Sequence, residues 1–395
     1  MVKNTLLRTA RLQMGWNQQQ LADFSQLSLS TIERAEGGKQ IRMDSIQQLC
    51  KCLGRTPEEL GLIKSKSQEQ ESDKQPHISG ITSLFNTSTM NTMELWHNNL
   101  LSQGIAACQD LYFNGQPYQV EAILPLYCSQ TASLSRQSSP IQQEAAKLAS
   151  LAHLLACELF ADRENFGAAE QAGKEAFMYG QIAGDVNLQV ASLIGLGNIA
   201  FHRKWSSIAL HVFQKAISLM DHATSLLKGR TYVGIAEVYA MRGQFQETMR
   251  ALGLAYKYFP LEPEKDPAYP YLRASRYALY VFGDAQSRLF LNQPKEANEA
   301  LIAMQKETND PEIEPITKLD LLYYQAEVQI QKREMDQSII ILTEAATLAK
   351  DLGSRLYFDK LVHSFNELNV KWPKEKRVAE LEELFLPWDI ESLDS

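Results

Sequence analysis

Apolar residues recur at intervals of three and four along most of the chain, a spacing that places them on one face of an α-helix. From residue 93 onward the pattern is built mainly from Ala, Leu, Gln and Glu, and Gly and Pro cluster only at intervals. No convincing run of alternating apolar and polar residues, which would indicate a strand, interrupts it. The pattern therefore predicts an all-α protein.

The first 63 residues predict five short helices. Asn17 and Ser28 are suitable N-caps for the second and third of these, Gly37 and Gly38 end the third, and Asp44 starts the fourth. The predicted helices cover residues 6–15, 18–25, 29–36 and 45–54, with a final short helix opened by residues 56–59. Two short helices joined by a tight turn are typical of a helix-turn-helix unit.

Residues 64–92 interrupt the helical pattern. Their first half is rich in Ser, Gln, Glu and Lys and contains Pro76 and Gly80, a composition typical of a solvated linker. We therefore expect a head at residues 1–63, a linker at 64–92 and a separate helical body from residue 93.

The body repeats a two-helix unit. In segments 196–217 and 235–256 a first helix ends in a short turn, and a small residue, Ala209 or Thr248, follows at the same offset. Small side chains there would let two antiparallel helices approach closely. With four further copies, of which those at 110–123 and 286–301 are weaker, the equivalent position falls near residues 120, 169, 209, 248, 297 and 338. The sequence thus predicts about six helix pairs.

Two segments of the body resemble the signature of the tetratricopeptide repeat: L-G-x-x-x-F at Leu196–Phe201 and A-x-x-x-F-x-x-A at Ala209–Ala216. The resemblance covers roughly residues 95–350. It implies that residues 93–353 form a right-handed α-solenoid of about six helix pairs, in which the first helix of each pair lines a concave groove. Residues 354–395 would then be capping helices that shield the last repeat.

Polar residues on these first helices are the candidate ligand-binding residues. By register, the groove would be lined by Glu158, Asn198, His202, Glu237, Gln286 and Glu327. Asn and Gln can hold the backbone amides of an extended peptide, and the acidic residues would favour a cationic or N-terminal end. The alternative for each of the six is that it is a normal surface residue of a helix.

The head resembles the XRE or Cro/C1-type DNA-binding domain of phage repressors. The resemblance rests on R-L-Q-x-G-x-N-Q-x-x-L-A at Arg11–Ala22, S-x-S-T-I-x-x-x-E-x-G at Ser28–Gly38 and L-G-x-x-x-x-E-L at Leu53–Leu60. It implies a five-helix domain whose third helix enters the major groove of double-stranded DNA. The alternative is a helix-turn-helix fold that makes only protein contacts.

The resemblance also implies roles for individual residues. Gln18 would touch a phosphate or a neighbouring base, Arg34 would read a guanine, and Lys39 and Arg42 would meet phosphates. The start of the recognition helix, which faces the major groove, consists of Ser28, Leu29, Ser30 and Thr31. Arg11 and Glu36 match positions that form an internal ion pair in this family, and Trp16 and Ile32 are expected in the core.

Charge is divided unevenly between head and body. Residues 1–66 contain ten Lys/Arg and six Asp/Glu, a net charge of +4, whereas the other 329 residues contain 29 and 41, a net charge of −12. A basic head and an acidic body indicate different partners. No stretch approaches the length of apolar sequence that spans a membrane, and the N-terminal residues lack the apolar core of a secretion signal. We therefore expect a cytoplasmic protein without a membrane partner.

Motifs for catalysis are missing from the sequence. It contains no G-x-x-x-x-G-K-[ST], H-E-x-x-H or G-x-S-x-G pattern, and its seven His residues show no metal-ligand spacing. We expect no enzymatic activity, no catalytic residue, no metal and no cofactor.

The whole architecture resembles the peptide-sensing (quorum-sensing) regulators of Gram-positive bacteria known as the RRNPP group. The resemblance implies a transcriptional regulator that binds a DNA operator as a homodimer and senses an oligopeptide through its repeats. The alternative is a repeat scaffold that binds a protein partner, with DNA binding secondary.

Overall fold

The computed structural model describes residues 4–13, 16–25, 27–39, 41–53, 55, 57, 60–62, 82–307 and 313–386. The chain divides into two compact units, residues 1–83 and 84–395, called here the first and second unit. Every regular element in the described ranges is helical, which confirms the predicted all-α class. None of the helices in those ranges is long and apolar enough to span a membrane.

The described helices of the first unit are α1 (Thr5–Gln13), α2 (Gln18–Ser25), α3 (Leu29–Glu36) and α4 (Met43–Leu53). The bounds of α2 and α3 are the predicted ones. The predicted start of α4 is wrong, because the helix begins before Asp44. This residue lies in the first turn, where its negative charge interacts favourably with the unpaired N–H groups. The predicted fifth helix lies largely outside the described residues.

Each helix of the first unit contributes to one small core. Leu7, Leu21, Ile32 and Leu49 have no exposed surface. Trp16 packs against this core, which confirms that Trp16 and Ile32 belong to it. Burial of a side chain of this size stabilises a fold by about 1.5–3 kcal/mol. Because Ile32 points into the core, the opposite face of α3 is turned to solvent.

The helix α5 (Thr82–Phe113) begins two residues before the second unit and continues into it, so a helix occupies the end of the range 64–92 for which the sequence predicts a linker. Residues 64–81 lie outside the described residues. The helices that follow are α6 (Pro117–Ser135), α7 (Gln142–Asp162), α8 (Phe166–Ala183), α9 (Val186–His202), α10 (Ser206–Ser218), α11 (Ser225–Met241), α12 (Phe245–Tyr258), α13 (Tyr269–Leu272), α14 (Arg276–Ala278), α15 (Ser287–Phe290), α16 (Pro294–Glu307), α17 (Pro315–Lys332), α18 (Met335–Asp351), α19 (Arg355–Lys371) and α20 (Lys376–Ala379). A π-helical segment, Leu279–Gln286, joins α14 to α15 without a break.

The six positions that define the predicted repeat occupy equivalent places in the second unit. Each is the fourth residue of its helix, in α6, α8, α10, α12, α16 and α18, and each has no exposed surface. These residues are Val120, Ala169, Ala209, Thr248, Ala297 and Ser338. The helix before each of them packs against it as the other half of a hairpin. A small or compact side chain at this position allows that close approach.

The turns before these six helices also share one backbone conformation. Each contains a residue with positive φ, between 57° and 79°, five positions before the buried residue. The six residues are Gly115, Glu164, Lys204, Gly243, Asn292 and Arg333. Glycine adopts this left-handed conformation without strain, but most side chains disfavour it. The hairpin geometry is therefore repeated even where the glycine is not.

Helices far apart in sequence also meet within the second unit. Arg163 Nε lies 2.6 Å from Glu121 Oε1, and Arg163 Nη1 donates to the carbonyl of Gly353. Beside this contact the Ser354 hydroxyl donates to Asp162 at the end of α7. These bonds hold the start of α19 against the α6–α7 hairpin and enclose the space between them.

The last described helices cover the apolar face of α17 and α18. Leu361 and Phe365 of α19, together with Phe385 of the 3-10 segment Glu380–Phe385, are buried against Leu342 and other residues of α18. Residues 387–395, the end of the predicted capping region, lie outside the described residues.

Candidate functional sites in the two units

A buried ion pair holds α3 against α1. Arg11 Nε lies 2.6 Å from Glu36 Oε1, Arg11 Nη2 lies 3.1 Å from Glu36 Oε2, and Arg11 Nη1 donates to the carbonyl of Trp16 at 2.7 Å. Burial raises the pKa of Glu36, but hydrogen bonds from Arg11 and Gln18 outweigh burial, so the pKa lies below its ordinary value. The predicted internal ion pair is confirmed, and it fixes the end of α3.

Gln18 also braces α3, because its Nε2 atom donates to Glu36 Oε2 at 2.8 Å. The start of α2 is a capping box in which the backbone N–H groups of Asn17 and Gln20 each donate to the other's side chain at 2.8 Å. The bond to Glu36 leaves one amide hydrogen of Gln18 for the DNA contact that is predicted at this position.

Hydroxyl groups surround the N-terminus of α3. Ser28 is its N-cap and accepts a hydrogen bond from the backbone N–H of Thr31 at 3.3 Å, as predicted. The Ser28 hydroxyl lies 2.9 Å from that of Ser30 and 2.8 Å from that of Thr31. This end of the helix therefore presents oriented hydroxyls beside the positive end of the helix dipole, a combination that suits contact with phosphate or base edges.

The solvent face of α3 carries the other predicted contact residues. Leu29, Ser30 and Arg34 are exposed, and Lys39 and Arg42, beyond the helix, are exposed as well. Their side chains stand opposite the buried face formed by Ile32, Ala35 and Glu36. Sequence reasoning missed Glu33, which is exposed beside Arg34 on this same face. The register set by the buried residues would have identified it.

The second unit encloses a cavity of about 600 Å³. It is lined by residues of α5, α7, α9, α11, α13, α14, the π-helical segment, α16, α17 and α19, so it lies between helices from most of the second unit. Five of the six predicted ligand-binding residues line it: Glu158, Asn198, His202, Glu237 and Gln286. The structure thus brings together residues that are far apart in sequence.

Glu327, the sixth predicted ligand-binding residue, lies outside this cavity. It accepts a hydrogen bond from the hydroxyl of Ser364 on α19. Asp320, seven residues earlier on the same face of α17, lines the cavity instead. Helical register identified the correct face of α17, but not how far along the helix the cavity extends.

Carboxyl groups dominate the polar lining of the cavity. Burial raises the pKa of Glu158, Glu237 and Asp320 to about 7 in each case, because the charged form loses its hydration. Burial has the opposite effect on His202, whose pKa falls well below its ordinary value and leaves the imidazole neutral. Within the described ranges, no group of three or more His, Cys, Asp or Glu is placed to hold a metal ion.

Two polar side chains in the cavity wall lack hydrogen-bond partners. Arg230 Nη1 and the Tyr277 hydroxyl are buried and bond to no residue in the part of the chain that the structure describes. The nearest carboxylate to Arg230, that of Glu237, lies 3.7 Å away, which is too long for a hydrogen bond. Buried polar groups are normally paired, so both atoms can donate to a further acceptor in the cavity.

Aromatic rings form the apolar part of the wall. The ring centroid of Phe282 lies 5.6 Å from that of Tyr277 and 6.0 Å from that of Tyr324. Sequence reasoning missed these rings, and it also missed Arg230 and Asp320. Charged residues inside otherwise apolar stretches of α11 and α17 were the available signal, because an isolated buried charge is costly unless it serves a site.

Comparison with protein families matches residues 7–60 to the helix-turn-helix family model. A comparison of the chain with curated proteins found no match. The matched residues coincide with α1–α4 and with the Arg11–Glu36 ion pair that positions the exposed face of α3. Residues 7–60 of this all-helical protein therefore form a helix-turn-helix domain, which suggests a DNA-binding regulator.

Proposed function

We propose that the protein is a sequence-specific transcriptional regulator of the XRE type, whose second unit is a tetratricopeptide-like array that binds a signalling peptide or other small ligand and mediates dimerisation. The observation that carries the DNA-binding part is the exposed face of α3. A buried brace, Arg11–Glu36, holds this face in one orientation, and its hydroxyls and Arg34 are turned to solvent.

Each contact residue has a distinct expected role on DNA. Arg34 presents a guanidinium that can donate two hydrogen bonds to guanine, whereas Lys39 and Arg42 can neutralise phosphates. Leu29 and Thr31 can pack against a thymine methyl group. Because few of these groups read bases directly, one domain binds weakly, and a dimer on two half-sites about 34 Å apart supplies the missing affinity.

The test uses fluorescence anisotropy with DNA from upstream of the protein's own gene, across a range of salt concentrations. Arg34→Ala should abolish preference for this DNA over a scrambled duplex, whereas Lys39→Ala should weaken both about equally and reduce the salt dependence. Arg250→Ala, an exposed charge change on α12, is the matched control and should leave both affinities unchanged. If the wild-type chain forms no salt-dependent specific complex, with or without peptide, the DNA-binding part is wrong.

The cavity favours a small ligand over a protein partner. A volume of about 600 Å³ lies in the range of small-molecule sites, about 300–1,000 Å³, and it is far too small for a folded domain. Amide groups of Asn198 and Gln286 in the wall can pair with a peptide backbone. Mass spectrometry of small molecules released from the purified protein tests this part, and one stoichiometric protein partner without a DNA footprint would instead support a scaffold.

Dimerisation is tested separately by light scattering coupled to size-exclusion chromatography. We expect the mass of two chains at micromolar concentration. A monomer that nevertheless binds a palindromic site with a sigmoidal isotherm would restrict dimerisation to the DNA-bound state.

A further inference from the structure

The cavity in the second unit contains more acidic than basic groups. Glu158 and Asp162 of α7, Glu237 of α11 and Asp320 of α17 line it, and Glu264 and Glu314 add exposed carboxyls. The basic lining residues are Arg230 and Arg273, and Lys360 of α19 lies close enough to act on Asp320 and Glu237. Carboxyl groups therefore outnumber the cationic groups in this cavity, and each carboxyl that ionises there loses hydration, which is unfavourable away from water.

A second observation shows that the same cavity is prepared for a ligand. Arg230 and Tyr277 are 8% and 6% exposed, and each has a buried polar atom without a hydrogen-bond partner among the described residues. Both side chains line the cavity, and Arg230 interacts electrostatically with Glu158 and Glu237. Donor atoms without a hydrogen-bond acceptor therefore lie in the same cavity as the carboxyls, and a ligand that fits would supply both an acceptor and a cation.

We propose that the cavity selects a ligand carrying a cationic group, an amine or a guanidinium, which Glu158 and Glu237 bind while Arg230 and Tyr277 donate to the ligand's carbonyl oxygens. This inference rests on the proposed function, in which the second unit binds a peptide or small ligand. It adds that this ligand carries a positive charge and that Glu158 and Glu237 recognise it. Asp320 adds a third carboxyl to the same wall.

Several titratable and charged groups face the carboxyl cluster. The lining and neighbouring groups are Glu158 and Asp162 of α7, His202 of α9, Arg230 and Glu237 of α11, Arg273, Tyr277 of α14, Asp320 and Tyr324 of α17, and Tyr357 and Lys360 of α19. Burial raises the pKa of Glu158 and Glu237 to about 7 and lowers that of Lys360 to about 8. His202 stays neutral, because burial lowers its pKa. A bound cation therefore displaces protons, and its affinity rises between pH 6 and pH 8.

The experiment compares pools of synthetic hexapeptides that differ in one charge. Every peptide is N-acetylated and C-amidated, all positions but one are mixed neutral residues, and the remaining position is arginine in one pool and citrulline, its neutral isostere, in the other. The apparent Kd of each pool for the full-length protein is measured from the ligand-dependent shift of the thermal unfolding midpoint. Arginine keeps its charge throughout this pH range, so any pH dependence belongs to the protein.

Matched variants separate the cavity carboxyls from carboxyls in general. Glu158→Gln and Glu237→Gln keep the shape of the side chain and remove its charge. Glu327→Gln makes the same change at a carboxyl outside the cavity, bonded to Ser364. Circular dichroism confirms that each variant is folded, and binding of the citrulline pool confirms that the cavity is intact.

The expected result is that the arginine pool binds about 10- to 100-fold more tightly than the citrulline pool, as hydrogen bonds to charged groups allow. This preference should grow from pH 6 to pH 8, fall at least about fivefold in Glu158→Gln and Glu237→Gln, and persist in Glu327→Gln. Equal binding of the two pools overturns the charge assignment and leaves peptide binding intact. Binding of neither pool overturns both this inference and the peptide part of the proposed function, while DNA binding is judged by its own assay.

Discussion

The substitution Gly197→Ala tests how closely the hairpins of the second unit must approach. A Cβ atom at this position of α9 would lie 2.6 Å from Phe213 Cζ, 2.7 Å from Cε1 and 2.9 Å from Cε2. Phe213, on α10, has no exposed surface. Its ring cannot move aside, since a Cβ at Gly234 of α11 would meet the same ring atoms. Two glycines on neighbouring first helices therefore enclose one aromatic ring.

Two opposing effects set the magnitude of the change. Alanine is more favourable than glycine inside a helix by about 1 kcal/mol. Overpacking a filled core costs about 1–3 kcal/mol, and three ring atoms at 2.6–2.9 Å call for a shift of the ring or of α9. We expect a net loss of about 1–2 kcal/mol in the free energy of unfolding. This corresponds to a fall of about 2–4 °C per kcal/mol in the unfolding midpoint of a large domain.

Gly253→Ala on α12 is the matched control, because a Cβ there would have no neighbour within 4 Å. It should gain the helix-propensity term alone and raise the midpoint. Thermal unfolding of full-length variants, followed by circular dichroism at 222 nm, gives the midpoint of the main transition. If Gly197→Ala is as stable as Gly253→Ala, then Phe213 does not require glycine at both positions, and the inference that α9 and α11 must approach this ring closely is wrong.

Three further predictions concern buried charges. Glu36→Gln should destabilise the first unit by about 3 kcal/mol, because Arg11 is left buried without its partner, and it should weaken DNA binding in parallel. In the wild type the folded-state pKa of Glu36 is lower than its ordinary value of 4.5. The ionised carboxylate therefore stabilises the fold above pH 4.5, and this stabilisation is lost as the pH falls from 4.5 through the folded-state pKa. The free energy of unfolding of the variant, measured across the same pH range, should not show that loss. Glu237→Gln should instead increase stability, because a folded-state pKa of about 7 means that the ionised carboxylate is unfavourable in the folded protein. In urea titrations the free energy of unfolding of the variant should exceed that of the wild type by about 1–3 kcal/mol at pH 8 and equal it at pH 5. Arg163→Gln should lose the bonds to Gly353 and lower stability by about 2 kcal/mol, with faster amide hydrogen exchange in α19; unchanged exchange there would show that Arg163 does not hold α19.

Local signals in the sequence were sufficient for the bounds of α2 and α3 in the first unit. Asn17 and Ser28 begin α2 and α3 where their side chains cap the free N–H groups, and Gly37 follows the end of α3. The Arg11–Glu36 ion pair came instead from resemblance, because the two residues are 25 positions apart and no local rule joins them. The predicted roles of Gln18 and Arg34 on DNA stay predictions, since they depend on a partner.

The repeat register of the second unit was predictable for a different reason. A small residue at the fourth position of a helix is a packing requirement, and it appears in the sequence at Ala169 and Ala209. The turns were harder to recognise, because Glu164 and Lys204 adopt the left-handed conformation that usually indicates glycine. The π-helical segment Leu279–Gln286 has no periodic signature of its own, and it turns Gln286 into the cavity.

Contacts between residues far apart in sequence could not be predicted, and one of them links helices on two sides of the cavity. In an array where each hairpin touches only its neighbours, a ligand inside the curve would affect the stability of a few hairpins. Here Arg163 and Gly353, 190 residues apart, join the two sides of the cavity. A ligand that contacts Glu158 on α7 and Asp320 on α17, as we propose for this cavity, would therefore bind the arrangement held by this bond more tightly than one in which the bond is broken, and by linkage it would stabilise the contact.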